Sequence, residues 1–154
     1  MRVSKYVTLA EATKSDTAIK NGIKNEPNAT ELNNMQHVAS SIFDVVREHF
    51  GVPIAVTSFF RGEALNALVG GSKSSQHCKG EAMDVDADKL GSVTNAEIFH
   101  YIKDNLEYSE LIWEFGTDEQ PSWVHFSLKR FGGNEKETLK AIKVNGKTKY
   151  IPYV

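Results

Sequence analysis

The chain has 154 residues, 40% of them hydrophobic and 25% charged, with a formal net charge of −2. That is the make-up of one globular domain, residues 1–154, large enough to bury a core. The charge balance and the lack of a lysine run argue against a nucleic-acid partner. No apolar stretch nears the ~20 residues that a membrane span needs. The lone Cys78 excludes an internal disulfide.

In chain order, Lys5, Glu11, Lys14 and Asp16 interrupt the first seventeen residues, which therefore lack a signal-peptide core. Thr8-Leu9-Ala10-Glu11 reads as a capping box opening a short helix. Asn21 to Thr30, with Gly22 and Pro27, reads as a loop. From Glu31 to Phe50 the apolar residues Leu32, Met35, Ala39, Ile42, Phe43, Val46 and Phe50 mark an amphipathic helix. His37 and His49 lie off that stripe and belong at the surface. Pro53 precedes a strand, Ile54 to Ser58, and a short helix from Gly62 to Val69 stops at Gly70-Gly71.

The next stretch, Ser75-Gln76-His77-Cys78-Lys79-Gly80-Glu81-Ala82-Met83-Asp84, carries the most chemistry. Gly80 allows a turn after His77. Met83, Val85 and Ala87 then alternate with Ala82, Asp84 and Asp86, a strand with Asp84 turned away from the core. Thr94 and Glu97 form another capping box, opening a helix through Asn105 whose His100 faces solvent. Leu111 to Phe115 reads as a strand, Gly116 to Pro121 as a polar loop, and Trp123 to Leu128 as a second strand carrying His125. Ala141 to Val144 and Thr148 to Ile151 flank Asn145-Gly146, a strong hairpin signal, with 138–154 as a terminal hairpin unit. The whole predicts an α+β domain: a small, mostly antiparallel sheet with helices packed on one face.

His77, Asp84 and His125 together form a ligand set for one catalytic zinc ion, because three protein ligands leave the fourth tetrahedral position to water. A strand histidine standing alone is more ordinarily a half-buried residue bonded to a neighbour; His77 and Asp84 tip the reading toward a ligand. A zinc hydrolase also needs a general base. Three carboxylates precede the third ligand: Glu114, Asp118 and Glu119. Glu114 closes the apolar strand Leu111-Ile112-Trp113, an unusual place for an acid, and ranks first; Glu119 ranks second. Arg61, at the end of a strand, can grip a substrate carboxylate or carbonyl with two parallel bonds. Ser75 can bond substrate backbone, and Asp86 is placed to orient a ligand histidine.

Ser75-x-His77 with Asp84, followed by Trp123-Val124-His125, resembles the zinc D-Ala-D-Ala carboxypeptidase family, whose relatives include vancomycin-resistance dipeptidases, phage endolysins and the Hedgehog amino-terminal domain. Val56 to Arg61, Leu65-Asn66, Val69 to Ser72 and Asn25-Glu26-Pro27 fit the same resemblance. It implies a Hedgehog/D,D-peptidase-like fold, a proton-shuttling role for Glu114, substrate binding by Arg61, and a peptidoglycan stem peptide as substrate. Cleavage would fall next to a D-amino acid, by carboxypeptidase or endopeptidase action. It also implies a monomeric, lysin-like product of phage or prophage type, cytoplasmic until released onto the cell wall. Several relatives carry a second histidine where Trp123 stands here, so Trp123 is read as a wall for the substrate's acyl portion. The same resemblance leaves a second class open: a zinc-stabilised binding module of the same fold without turnover.

Overall fold

The computed structural model describes residues 1–154. Its first helices start at side-chain caps, which satisfy N–H groups that a helix end leaves unpaired. Thr8 and Glu11 form the capping box of α1 (Leu9–Thr13), as expected. Ser15 caps α2 (Asp16–Lys20), which buries only Ala18 and so leaves no periodic signal in the sequence. The next helix begins earlier than expected, inside the predicted loop. Asn28 and Glu31 cap each other through two 2.8 Å hydrogen bonds, starting α3 (Ala29–Val38). A π turn (Ala39–Phe43) carries it into α4 (Asp44–Phe50), which ends at Gly51 in the left-handed conformation.

Six strands follow: β1 (Ala55–Ser58), β2 (Ala82–Asp86), β3 (Glu110–Glu114), β4 (Trp123–Ser127), β5 (Glu137–Val144) and β6 (Lys147–Pro152). Between them lie α5 (Glu63–Leu68), a 3₁₀ turn (Gln76–Lys79) and α6 (Asn95–Asn105). The strands form one sheet in the order β1-β2-β4-β3-β5-β6. Every pairing is antiparallel except β3 with β5. β5 starts four residues before the sequence reading placed it. Glu137 to Lys140 have weak strand character of their own and take their conformation from pairing with β3.

Period two divides the sheet into two unlike faces. Met83, Val85, Leu111, Trp113, Val124 and Phe126 point to the helices and are buried. There they join Met35, Ile42, Phe43 and Val46 of the long helix and Ile98, Phe99 and Ile102 of α6 in one core. The opposite face carries Asp84, His125, Glu110, Ile112 and Glu114, and it is open.

Gly80 is what fits the 3₁₀ turn between this sheet and α3. Its φ is +75°, and a Cβ there would lie 2.5 Å from the carbonyl oxygen of Glu31. Only glycine satisfies both conditions. Asn34 of α3 closes the same junction by donating to the carbonyl of Lys79 at 2.9 Å. His77 is thus held at a fixed height above the sheet by backbone packing.

Candidate metal centre and active-site cleft

Antiparallel pairing of β2 with β4 sets Asp84 directly opposite His125. The 3₁₀ turn lowers His77 onto the same spot. One ligand atom from each of the three residues lies within 4.8 Å of the others. His77 Nδ1 is 2.7 Å from the carbonyl oxygen of Phe59. A carbonyl can only accept, so Nδ1 carries the proton and the Nε2 lone pair faces the centre. Nε2 lies 3.3 Å from Asp84 Oδ2, and His125 Nδ1 lies 2.9 Å from Asp84 Oδ1.

Charges in this cluster are strongly coupled. Burial works to raise the Asp84 carboxyl, but in the metal-free cluster, where His77 can take a second proton on Nε2, the charge of that ring and hydrogen bonds from both histidines hold it well below the usual carboxylate range. Burial works to lower His125, and Asp84 outweighs it, aided by Glu114 and Glu110, so that His125 titrates above its ordinary value. Two imidazole nitrogens and one carboxylate oxygen, converging with the ring tautomer of His77 already set, fit a borderline divalent ion such as zinc. His125 Nε2 is buried without a hydrogen-bond partner. The nearest carboxylate is Glu110, with Oε1 at 3.8 Å.

Glu114 shares this face. It is 7% exposed, and burial pushes its carboxyl up to about 7, with the charges of Asp84 and Glu110 adding to the effect and His125 opposing it. No lysine or arginine pairs with it, and β3 is an interior strand. A structural ion pair at a sheet edge therefore does not explain this acid. The cleft above the triad has a volume of about 780 Å³ and brings together Arg61, Ser75, His77, Asp84, Glu114, Trp123 and His125.

Arg61 donates its backbone N–H to the carbonyl of His77 at 3.3 Å, and its buried Nε has no partner. Ser75 Oγ accepts from the backbone N–H of His77 at 3.3 Å, capping the 3₁₀ turn at the cleft wall. The loop before it folds over buried Asn66, whose side chain donates to the carbonyl of Ser72 at 2.8 Å. A Cβ on Gly71 would come within 2.0 Å of Asn66 Oδ1, so this wall depends on glycine there.

Three sequence expectations resolve differently. Asp86 touches no ligand histidine; its Oδ1 accepts from Asn95 Nδ2 and from the backbone of Asp88, both at 3.0 Å, tying β2 to α6. Glu119 is exposed in the loop after β3, outside the cleft. Asp118 pairs with Lys140 at 2.6 Å. Cys78 stays outside the triad, and burial pushes its thiol up. His49 and His100 are exposed, and none of His37, His49 and His100 reaches the cleft. Further cleft residues escaped the sequence reading, among them Glu110 on β3, Glu137 and Leu139 on β5, and Thr148 and Tyr150 on β6. Parity shows which side of a strand they occupy, but the sequence does not show which strand lies beside β3.

A convergent two-histidine, one-aspartate triad beside a buried acid, in an open cleft of an α+β sheet, has the make-up of a metal-dependent hydrolase. Residues 5–127 match the Peptidase M15 family, and the chain belongs to that family. Among curated proteins, nothing matches the chain. No helix is long and apolar enough to cross a membrane.

Proposed function

We propose that the protein is a zinc-dependent peptidase that hydrolyses peptidoglycan stem peptides at an amide next to a D-amino acid. One observation carries the reading most directly: a buried, cation-free Glu114 opens into the same cleft as three converging ligand atoms. His77, Asp84 and His125 would hold the ion. When bound, zinc supplies Lewis acidity toward the scissile carbonyl and brings water to a pKa near 7.

The chain's own residues supply the rest. Glu114 takes a proton from the attacking water and returns it to the leaving amine, and a carboxyl poised near neutrality is matched to that task. With a dication held by the triad, the Glu114 carboxyl would sit further toward its ionised, basic form. Arg61 lines the cleft and grips a substrate carboxylate or carbonyl through its guanidinium. Trp123 forms a wall against the acyl portion, and Ser75 bonds substrate backbone at the turn. In a binding module without turnover, a buried unpaired acid would only cost stability, so Glu114 favours the enzyme. Purified sacculi digested with the protein should yield new peptide termini, identified by mass spectrometry and absent after chelation. Intact sacculi after prolonged incubation with the zinc-loaded protein would overturn the reading.

A further inference from the structure

The matched family region stops at residue 127, yet the cleft continues beyond it. Glu137 and Leu139 of β5 and Thr148 and Tyr150 of β6 form its far wall. From β2, which bears Asp84, to β6 the sheet crosses four strand spacings, roughly 19 Å, enough for about five or six residues of extended peptide. The hairpin β5–β6 supplies the outer two spacings, roughly 10 Å, or about three residues.

Register shows how its side chains meet the site. Ala141 pairs with Glu114 on one side and Tyr150 on the other, so these three share a row and a face. Ala141 is fully buried, and its methyl is the only side chain between Glu114 and Tyr150 in that row. Tyr150 lines the same cleft as Glu114, Glu110 and Asp84, and partial burial, followed by those three charges, raises its phenol. Leu139 occupies the next row, beside Ile112.

The hairpin is firmly mounted. Tyr153 just beyond β6 packs against Phe99 and Trp113 with ring centroids 4.8 and 5.6 Å apart, and its N–H donates to the carbonyl of Thr138 at 3.0 Å. Tyr150 itself remains 55% exposed. A large amphipathic ring held open on a rigid strand, continuous with a reactive cleft, is a contact surface for a chain entering that cleft.

We infer that the hairpin β5–β6 is a substrate subsite: Tyr150 and Leu139 hold the peptide segment farthest from His77, and efficient cleavage therefore requires a substrate long enough to reach them. This rests on the peptidase reading above. Arg61 marks the other end of the cleft, so the bound chain runs across the strands from Arg61 toward Tyr150.

The test uses the full zinc-loaded chain, with a synthetic stem pentapeptide and its truncations from each end as probes. Wild type should lose about tenfold in kcat/KM when the segment reaching the hairpin is removed, the effect of about 1.4 kcal/mol of contact. In Tyr150→Ala, the ratio of kcat/KM for long over short peptides should collapse toward one, through KM, with zinc content and Tm unchanged. Tyr150→Phe keeps the ring and should restore most of the ratio, and Leu139→Ala should lower it less than Tyr150→Ala does. Lys147→Ala, exposed near the hairpin turn and outside the cleft, should behave as wild type. A length-independent wild type, or a Tyr150→Ala variant that keeps the wild-type ratio, overturns the subsite. If wild type cleaves no peptide at all, the peptidase reading falls. The subsite is then decided by calorimetric affinity for the same peptides: it stands only if Tyr150→Ala weakens the long peptide selectively.

Discussion

The two halves of the cleft are built on opposite principles. Around the triad, on the 3₁₀ turn, β2, β4 and β3, His77 and Glu114 are buried, Asp84 and His125 are half-buried and bonded to each other, and the backbone behind them is locked by Gly80 and the carbonyl of Phe59. On β5 the side chains are mostly half-buried and on β6 mostly exposed, and those facing the cleft at Leu139 and Tyr150 are open to it. Burial is what moves Glu114 toward neutrality and keeps charge interactions strong. Exposure is what leaves Tyr150, with half-buried Leu139 beside it, available to a ligand. Chemistry needs the first environment and recognition the second, and one sheet provides both because its outer hairpin extends past the helices that seal the core.

The largest effect expected from breaking the first half is loss of the metal. His125→Ala should drop zinc content well below one ion per chain by elemental analysis and abolish hydrolysis, and a chelator should do the same to wild type. Zinc affinity should also fall as pH drops through the histidine range, starting above the ordinary 6.5 because His125 is raised, where protons compete for the histidine nitrogens. Full zinc occupancy in His125→Ala would remove that residue from the ligand set.

Glu114→Gln comes next. Losing a general base should lower kcat by a factor on the order of 10² to 10⁴ while zinc stays bound. Glu119→Gln should leave kcat at the wild-type value, because Glu119 is exposed and outside the cleft. Steady-state kinetics on a soluble stem peptide decides between the two, and a dead Glu119→Gln beside an active Glu114→Gln would reverse the assignment. A smaller change, on the order of tenfold in KM, is expected of Arg61→Lys, the loss of one charge-assisted bond of about 1.5 kcal/mol. An unaltered KM would leave Arg61 a wall residue.

The smallest effect concerns the metal-free protein. Glu114 titrates at about 7 against an ordinary 4.5. Its contribution to stability is therefore complete below about 4.5 and is lost as pH rises through 7, a loss of roughly 1–3 kcal/mol. His125, also raised, loses stability in the same direction as it deprotonates. Asp84, held low, has the opposite sign and destabilises only in strong acid. The Tm of chelated protein should accordingly decline between pH 5 and 8, and Glu114→Gln should flatten that decline. A chelated wild type with constant Tm across the range would show that Glu114 is not buried as described.

Much of this molecule was legible as sequence wherever the signal was local. Capping boxes at Thr8 and Thr94, the stripe on the long helix, the alternation in β2 and β4 and the Asn145-Gly146 turn depend on neighbours a few residues away. The candidates His77, Asp84, His125 and Glu114 were chosen from residue type, strand parity and the family resemblance, and the structure brings all four to one cleft. The earlier start of α3 was also local, in the Asn28 and Glu31 pair, and was masked by the Asn-rich stretch around it.

Tertiary structure decided what depends on distant partners. That Asp84 faces His125 across paired strands, that Glu114 lies in an interior strand without a cation, and that Asp86 turns to Asn95 all follow from pairing between remote segments. The parallel junction of β3 with β5 did most, since it placed Tyr150 in the row of Glu114. Periodicity determines which face a side chain takes. Only the order of strands in the folded sheet determines which other side chains share that face.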